Sequence, residues 1–187
     1  MKSLKPIWEE KSSFILDLLY RVRITPNFLT VFSIVFVVVG SYFVYIEEFL
    51  LGGIFILIGN IFDALDGALA RKYGLVSKFG AFLDSVVDRY ADMIPLFSIL
   101  LLFKESFFYS VLTILAISGS LMTSYVKARA EGLGVDCNVG LFERPERSVV
   151  LILGLILNIP TISIWILAIG SNFTVLQRTI WVYRRSF

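Results

Sequence analysis

The chain has 187 residues, a length typical of one domain, but its composition is not that of a water-soluble globule. Hydrophobic residues make up 57%, charged residues only 17%, and the mean hydropathy is +0.82. These values indicate an integral membrane protein. The formal net charge of +2 is too small to suggest binding to nucleic acid, so no nucleic-acid partner is expected.

Two residue types limit the chemistry. The sequence has no histidine, which removes the usual general base and the commonest transition-metal ligand. Its single cysteine, Cys137, cannot form an internal disulfide and has no neighbouring ligands for a zinc site. Acid-base or metal chemistry therefore falls mainly to carboxylates.

The first segment, residues 6–23, has apolar side chains at helical spacing and a charged opposite face. This pattern predicts an amphipathic helix lying at the membrane surface. The N-terminus lacks a short apolar stretch followed by a cleavage site, so we expect no removable signal peptide. Thr25-Pro26-Asn27 is predicted to end the interfacial helix.

The remaining sequence predicts an all-α fold with six transmembrane helices in residues 29–184. Because no internal repeat divides residues 1–187, a single domain is expected. A polar loop with several glycines is predicted over 130–145. The predicted spans are 29–46, 49–71, 78–103, 107–129, 146–158 and a last helix that follows Pro160 and ends near Arg184.

Positive charge is distributed unequally between the two ends of these spans. With six spans, both termini, the 72–77 turn and the 130–145 loop share one side, which holds almost all the lysines and arginines. The other side has only Lys104. The positive-inside rule then places both termini on the cytoplasmic side of the cell membrane.

Four aspartates lie inside the second and third predicted spans. Asp63 and Asp66 are three residues apart and Asp84 and Asp88 are four apart, so each pair shares one helix face. Asp66 and Asp84 are equally distant from Leu75 in the connecting turn, which places them at similar depth on antiparallel neighbours. The four carboxylates are therefore expected to face one another.

Such a cluster requires compensating positive charge, because one ionised carboxylate inside a spanning helix costs about 2.5 to 3.5 kcal/mol. Two divalent cations would supply it, and oxygen ligands without histidine or cysteine favour Mg²⁺, Mn²⁺ or Ca²⁺. Asp92 is interpreted as a paired or solvated residue. The small residues Gly67, Ala70 and Gly80 leave room for a ligand or for a closely packed helix.

The string Asp63-x-x-Asp66-Gly67-x-x-Ala70-Arg71, followed after eight residues by Gly80-x-x-x-Asp84-x-x-x-Asp88, resembles the signature of the CDP-alcohol phosphotransferases at every defined position. The six-helix layout is also similar to that family over nearly the whole chain. The resemblance implies transfer of a phosphoalcohol group from a CDP-linked lipid to an acceptor hydroxyl, with release of CMP. It also implies Mg²⁺ or Mn²⁺ as cofactor, two ions, and a homodimer in the membrane.

Residue roles follow from the same resemblance. Asp63, Asp66, Asp84 and Asp88 would bind the metals, and Asp88 would also accept the proton. The nucleotide of the CDP-lipid would be bound by Gly67, Arg71, Ser77 and the segment Pro26, Asn27, Phe28 and Leu29. The alternative for that last segment is a helix cap made by Asn27 or Thr30.

A second polar cluster lies at the predicted cytoplasmic ends of the last three helices. Its runs Ser-Tyr-x-Lys-Ala-Arg-Ala-Glu and Glu-Arg-Pro-Glu-Arg are similar to the branch of the family that acts on inositol phosphate and makes phosphatidylinositol phosphate or its archaeal ether-lipid counterpart. The resemblance implies that the acceptor phosphate is held by Ser124, Lys127, Arg144, Arg147 and Arg178. Ordinary flanking charge is the alternative interpretation of these residues.

Other functions stay open at this point. Glycerol 3-phosphate is also an anionic acceptor, and a soluble inositol-phosphate product is possible. The alternative of another class is a small cation or proton transporter that uses the aspartates as an ion path. Arg71 beside the carboxylates and the lack of paired broken helices argue against it.

Overall fold

The computed structural model describes residues 13–186, and all regular structure in this range is helical, which confirms the all-α prediction. The helices are α1 (Ser13–Arg21), α2 (Pro26–Tyr45), α3 (Phe49–Lys72), α4 (Lys78–Leu102), α5 (Phe107–Glu131), α6 (Arg144–Ile156) and α7 (Pro160–Ser186). Three of the described helices, α2, α3 and α5, are long and apolar enough to cross a membrane. The protein is therefore a helical membrane protein with at least these candidate spans.

Two helix starts differ from the prediction. Helix α2 begins at Pro26 rather than Leu29, because proline is favourable in a first helical turn. Its cap is Thr25, whose side chain accepts a hydrogen bond of 3.3 Å from the Phe28 amide. The alternative cap at Asn27 or Thr30 was therefore wrong, and the break predicted at Thr25-Pro26-Asn27 is the cap and first turn of α2.

The second difference concerns the start of α6. This helix runs from Arg144 to Ile156, two residues earlier at each end than predicted, because Pro145 again stands in the first turn. The polar loop is correspondingly shorter, since α5 continues to Glu131. Arg144 consequently projects from a helix instead of a loop.

The predicted interfacial helix is seen in its described part, α1, while residues 6–12 lie outside the described residues. Leu16 of α1 is fully buried and packs with Leu29, Leu65 and Leu69 of α2 and α3. Phe14, on the opposite side, is 79% exposed. Helix α1 therefore docks on the end of α3 with one face and leaves a second apolar face uncovered.

Helices α2 and α3 approach each other through glycines. A Cβ atom on Gly40 would lie 2.8 Å from the Gly52 carbonyl oxygen, and one on Gly59 would lie 2.9 Å from the Ser33 carbonyl oxygen. Only glycine permits this separation of the two backbones. The contact brings the N-terminal turn of α2 against the C-terminal half of α3, where Asp63 and Asp66 lie.

The main apolar cluster occupies the opposite end of the bundle. It combines the ends of α2 and α4 with the starts of α3, α5 and α7 and with α6, and its largest fully buried members include Leu96, Ile99, Leu155 and Ile164. The charged side chains of α3, α4, α5 and α6 gather at the other end. The apolar end thus holds the helices in register while the polar end forms the cavities described below.

Candidate active site

Three of the four predicted aspartates converge at the α3–α4 hairpin. Asp63 and Asp66 on α3 and Asp84 on α4 each offer a carboxylate oxygen, and these oxygens lie within 4.8 Å of one another. Three-residue spacing places the first two on one face of α3, and the antiparallel neighbour supplies the third. This separation allows the three carboxylates to ligate one cation.

The chemistry of this group fits a divalent metal ion. The Oδ1 atom of Asp63 is buried and has no hydrogen-bond partner among residues 13–186. A buried carboxylate oxygen without a donor is unfavourable, and a hard cation with oxygen ligands such as Mg²⁺ or Mn²⁺ would satisfy it. The three aspartates are therefore the residues that would hold such an ion.

Asp66 also contacts Thr30, a residue that the sequence analysis did not assign to the site. The hydroxyl of the buried Thr30 donates a hydrogen bond to the Asp66 carboxylate. This contact fixes one oxygen of Asp66 and links the first turn of α2 to the metal-binding face of α3. The sequence signal was present, since Thr30 ends the segment Pro26-Asn27-Phe28-Leu29-Thr30 that resembles the family's entry motif to α2, but a contact with Asp66 was not predicted.

Asp88 lies one turn beyond Asp84 on α4 and is joined to the group by an arginine. The Nη1 atom of Arg144 lies 2.7 Å from Asp88 Oδ1 and 2.8 Å from Asp63 Oδ2. Its Nε atom is 3.8 Å from Asp92 Oδ1. Arg144, predicted to contact an acceptor phosphate, is thus placed among three carboxylates.

A first cavity of about 310 Å³ opens beside Asp66 and Asp84. The predicted nucleotide residues Pro26, Asn27, Gly67, Arg71 and Ser77 all line it, together with Thr30, Ala70, Leu75, Val76, Gly80 and Ala81. Phe28 and Leu29 do not line it, because Phe28 points outward with 54% exposure and Leu29 is buried against α1 and α3. The structure therefore brings together five of the seven predicted residues.

Two glycines keep this cavity open. A Cβ atom on Gly67 would lie 3.1 Å from Arg71 Nη1, and one on Gly80 would lie 3.0 Å from Asn27 Oδ1. Any larger side chain would displace polar groups that line the cavity. The small residues of the motif thus serve the cavity as well as helix packing.

A second cavity of about 510 Å³ lies on the other side of Asp88. All five predicted acceptor residues line it: Ser124, Lys127, Arg144, Arg147 and Arg178. Sequence reasoning did not assign Arg89, Glu131 or Glu143, which also line it. Of these three residues, Arg89 could most easily have been predicted, because it stands next to Asp88 in the sequence. Five cationic and three anionic side chains thus surround the cavity.

Besides Arg144, the two most buried arginines of this cavity are bonded to the protein. Arg147, 3% exposed, donates to Asp92 Oδ2 at 2.6 Å and to the Phe142 carbonyl at 3.2 Å. The expected pairing of Asp92 is therefore confirmed. Arg178, 2% exposed, donates 2.8, 2.7 and 2.8 Å hydrogen bonds to Val139 O, Thr123 O and Glu143 Oε1.

These bonds divide the basic set by role. Arg147 and Arg178 form the wall of the second cavity, and each already donates to at least two neighbouring protein groups. For Lys127 the structure shows no hydrogen bond or ion pair within residues 13–186, and it is only half-buried. Lys127 is consequently the cation best able to meet an anionic ligand.

The buried ion pair gives a stability prediction. Arg147→Ala leaves the Asp92 carboxylate with only its 3.8 Å contact to Arg144, and breaking a buried ion pair costs about 3 to 5 kcal/mol. Thermal unfolding of the purified protein in detergent should therefore shift to markedly lower temperature. Arg129→Ala, which removes an exposed arginine of α5, is the matched control and should leave the transition in place. An unchanged transition for Arg147→Ala would contradict a wall role.

The carboxylate group gives a metal-binding prediction. Asp84→Asn removes one of three charged ligands, so Mn²⁺ affinity should fall by at least about tenfold. Free Mn²⁺ can be followed by electron paramagnetic resonance while protein is titrated. Asp136→Asn, at an exposed loop position, is the control. Equal affinities for both variants and the wild type would exclude Asp84 as a ligand.

Comparison with known proteins shows relatives of one kind. Residues 23–176 match the CDP-alcohol phosphatidyltransferase family. Archaetidylinositol phosphate synthase of Pyrococcus horikoshii is 40% identical over 156 residues, which are 83% of this chain and 81% of the relative.

Two solved structures of the phosphatidylinositol phosphate synthase of Mycobacterium tuberculosis are also similar. The complex with manganese and citrate has a TM-score of 0.83 at 29% identity and covers 90% of this chain and 87% of that one. The complex with CDP-DAG bound has a TM-score of 0.83 at 28% identity and covers 92% and 93%.

These findings confirm the family and the enzyme class predicted from the aspartate signature, and the transporter alternative is not retained. The expected Mg²⁺ or Mn²⁺ cofactor is confirmed at the level of the family, since a relative binds manganese and the acidic cluster is present here. The chain belongs to the CDP-alcohol phosphatidyltransferase family.

Proposed function

We propose that this enzyme transfers a phosphatidyl-type group from a CDP-linked lipid to inositol 1-phosphate and releases CMP, as a step of phospholipid biosynthesis. One observation carries the proposal: the first cavity ends at Asp84 and the second begins at Asp88, one turn further along α4. Two substrates bound in these cavities would meet at the aspartates.

The first cavity suits the CDP-linked donor. Asp63, Asp66 and Asp84 would hold Mg²⁺ or Mn²⁺, and with Asp88 they would hold two such ions. The nucleotide would be contacted by Pro26, Asn27, Gly67, Arg71 and Ser77. When bound, the ions supply charge neutralisation for the diphosphate and for the departing CMP. Thr30 keeps Asp66 oriented for this role.

The reaction exchanges one phosphorus–oxygen bond for another. The acceptor hydroxyl forms a new bond to the phosphorus that carries the lipid, the bond from that phosphorus to the CMP oxygen breaks, and CMP leaves with the electron pair. Asp88 would accept the hydroxyl proton, and Arg144 holds its carboxylate in place at 2.7 Å. The short distance between Asp84 and Asp88 along α4 places the proton acceptor beside the donor cavity.

The second cavity suits a phosphorylated polyol. Lys127, Ser124 and Arg144 offer donors to a phosphate, and Arg147 and Arg178 add positive potential from the wall. Glu131 and Glu143 can accept hydrogen bonds from hydroxyl groups. The mixture of cations and carboxylates favours a ligand with one phosphate and many hydroxyls, which agrees with inositol phosphate better than with glycerol 3-phosphate.

The membrane arrangement belongs to the same proposal. We infer that α4, α6 and α7 also span, which gives six transmembrane helices in one domain of residues 1–187, with α1 at the surface. The unequal lysine and arginine distribution supports a cytoplasmic location of both termini and of the two cavities. A homodimer with surrounding membrane lipids is proposed from the family resemblance.

An acceptor screen tests the function. Purified enzyme with CDP-diacylglycerol and Mn²⁺ should release CMP with inositol 1-phosphate, less with glycerol 3-phosphate, and very little with serine or free inositol. Asp88→Asn should lower kcat by about 10² to 10⁴, because general base catalysis contributes that factor. CMP release with free inositol equal to that with inositol 1-phosphate would contradict a phosphate-binding acceptor site.

Lys127 gives a sharper prediction about the acceptor. Lys127→Ala should raise KM for inositol 1-phosphate by about tenfold or more, because it removes a charge-assisted hydrogen bond of about 1.5 to 3 kcal/mol. KM for the CDP-lipid should not change, since Lys127 lies outside the first cavity. Lys104→Ala, near the opposite end of the bundle, is the control. Equal increases in both Michaelis constants would argue for a structural role.

A further inference from the structure

Helix α1 is attached to the end of α3 by three polar side chains. The Asp17 carboxylate accepts hydrogen bonds from Lys72 Nζ and from the Tyr73 hydroxyl. Lys72 also donates to Ser13 Oγ at 2.7 Å. The hydrogen bonds from Lys72 and Tyr73 hold the pKa of Asp17 below its ordinary value, so the carboxylate stays ionised. Asp17, Lys72 and Tyr73 are called the polar clamp below.

Apolar contacts reinforce the polar clamp. The Tyr20 ring stacks on the Tyr73 ring with 3.8 Å between centroids and an interplanar angle of 4°. Leu16, on the same side of α1, is buried against Leu65 and Leu69. The position of Tyr73 is therefore fixed by its hydroxyl, by its ring and by the helix that it follows.

The clamped residue begins the turn that lines the donor cavity. Tyr73 is followed by Gly74 at φ 65°, and the Leu75 amide donates to the Ala70 carbonyl at 2.8 Å. Leu75, Val76 and Ser77 then line the first cavity. A displacement of Tyr73 would pass directly to this wall.

Helix α1 also connects to the opposite wall. After α1, Arg23 adopts φ 60° and the Ile24 amide donates to the Leu19 carbonyl at 3.0 Å, which closes a tight link to Pro26. Pro26 and Asn27 line the same cavity from α2. Helix α1 is thus joined to both sides of the cavity opening, covalently at one side and through the polar clamp at the other.

The outer face of α1 is apolar. Its exposed apolar residues are Phe14, Ile15 and Leu18, and Val22 directly after the helix is exposed too. Their spacing places them along one side of α1. A face of this kind lies at the boundary between lipid head groups and acyl chains. The helix that fixes the cavity walls is therefore also held at the level of the membrane surface, where the CDP-lipid arrives.

We propose that the polar clamp positions the 73–77 turn against the CDP-lipid, so that Asp17, Lys72 and Tyr73 are positioning residues for donor affinity and not for catalysis. The inference rests on the proposed function, because it takes the first cavity as the donor site. Loss of the clamp weakens donor binding, while the aspartates and the second cavity keep their geometry. Neither Asp17 nor Tyr73 lines either cavity, so an effect on the donor must be transmitted through the turn.

The variants Asp17→Asn and Tyr73→Phe test the polar clamp. Their kinetics are measured beside those of the wild type in lipid nanodiscs with Mn²⁺. The second variant removes one hydroxyl and keeps the ring stacked on Tyr20. Each should raise KM for CDP-diacylglycerol about two- to fivefold, the range expected for exposed ionic contacts, with kcat and KM for inositol 1-phosphate unchanged. The double variant should be no worse than Asp17→Asn, because both changes remove the same interaction. Glu105→Gln, at the opposite end, is the control.

The outcomes separate the clamp from the proposed function. If the wild type is active and KM for CDP-diacylglycerol is unchanged in both variants, the clamp proposal is overturned and the proposed function is retained. Equal changes in donor and acceptor KM also overturn it, since they show a general structural effect. If the wild type releases no CMP, the proposed function fails, and calorimetric titration with CDP-diacylglycerol and Mn²⁺ still tests the clamp. In that titration, weaker binding by both variants supports the clamp and equal binding overturns it.

Discussion

The need to compensate carboxylates inside a membrane protein determines most of this structure. Asp63 shares a cation-sized space with Asp66 and Asp84 on one side and an arginine with Asp88 on the other. Because hydrocarbon offers these oxygens neither hydrogen bonds nor positive charge, their charge must be compensated by a metal ion, a hydroxyl or a guanidinium group. The convergence of α2, α3, α4 and α6 at one end of the bundle follows from this requirement, since each helix supplies one of these partners or ligands.

The site depends on packing that lies far from it. Close approach of α2 and α3 through Gly40, Gly52 and Gly59 sets the position of Thr30 beside Asp66. The apolar cluster at the other end fixes α4 and α6, and with them the contact between Asp88 and Arg144. Rigid backbones are the physical means by which small, uncharged residues control the geometry of a charged site.

The sequence predicted the all-helical fold and the convergence of Asp63, Asp66 and Asp84, because helical spacing and a short hairpin leave little freedom. It predicted four of the five basic residues that line the second cavity but not how they are used. Arg147 and Arg178 look like flanking charges in sequence, yet each is buried and bonded to protein groups from distant segments, Asp92 and Glu143 among them. Such partners are separated by tens of residues, so local patterns carry no information about them. The attachment of Asp17 to Tyr73 was hidden for the same reason.

Arg144 shows why the division between donor and acceptor depends on position more than on residue type. All four aspartates carry the same group, but only Asp88 faces the second cavity, and Arg144 contacts it while lining that cavity too. An acceptor phosphate near Arg144 would draw on the same guanidinium that orients Asp88 and Asp63. Acceptor binding and the orientation of the proton acceptor are thus linked through one side chain. The start of α6 at Arg144, which proline at position 145 makes possible, gives that side chain its fixed origin.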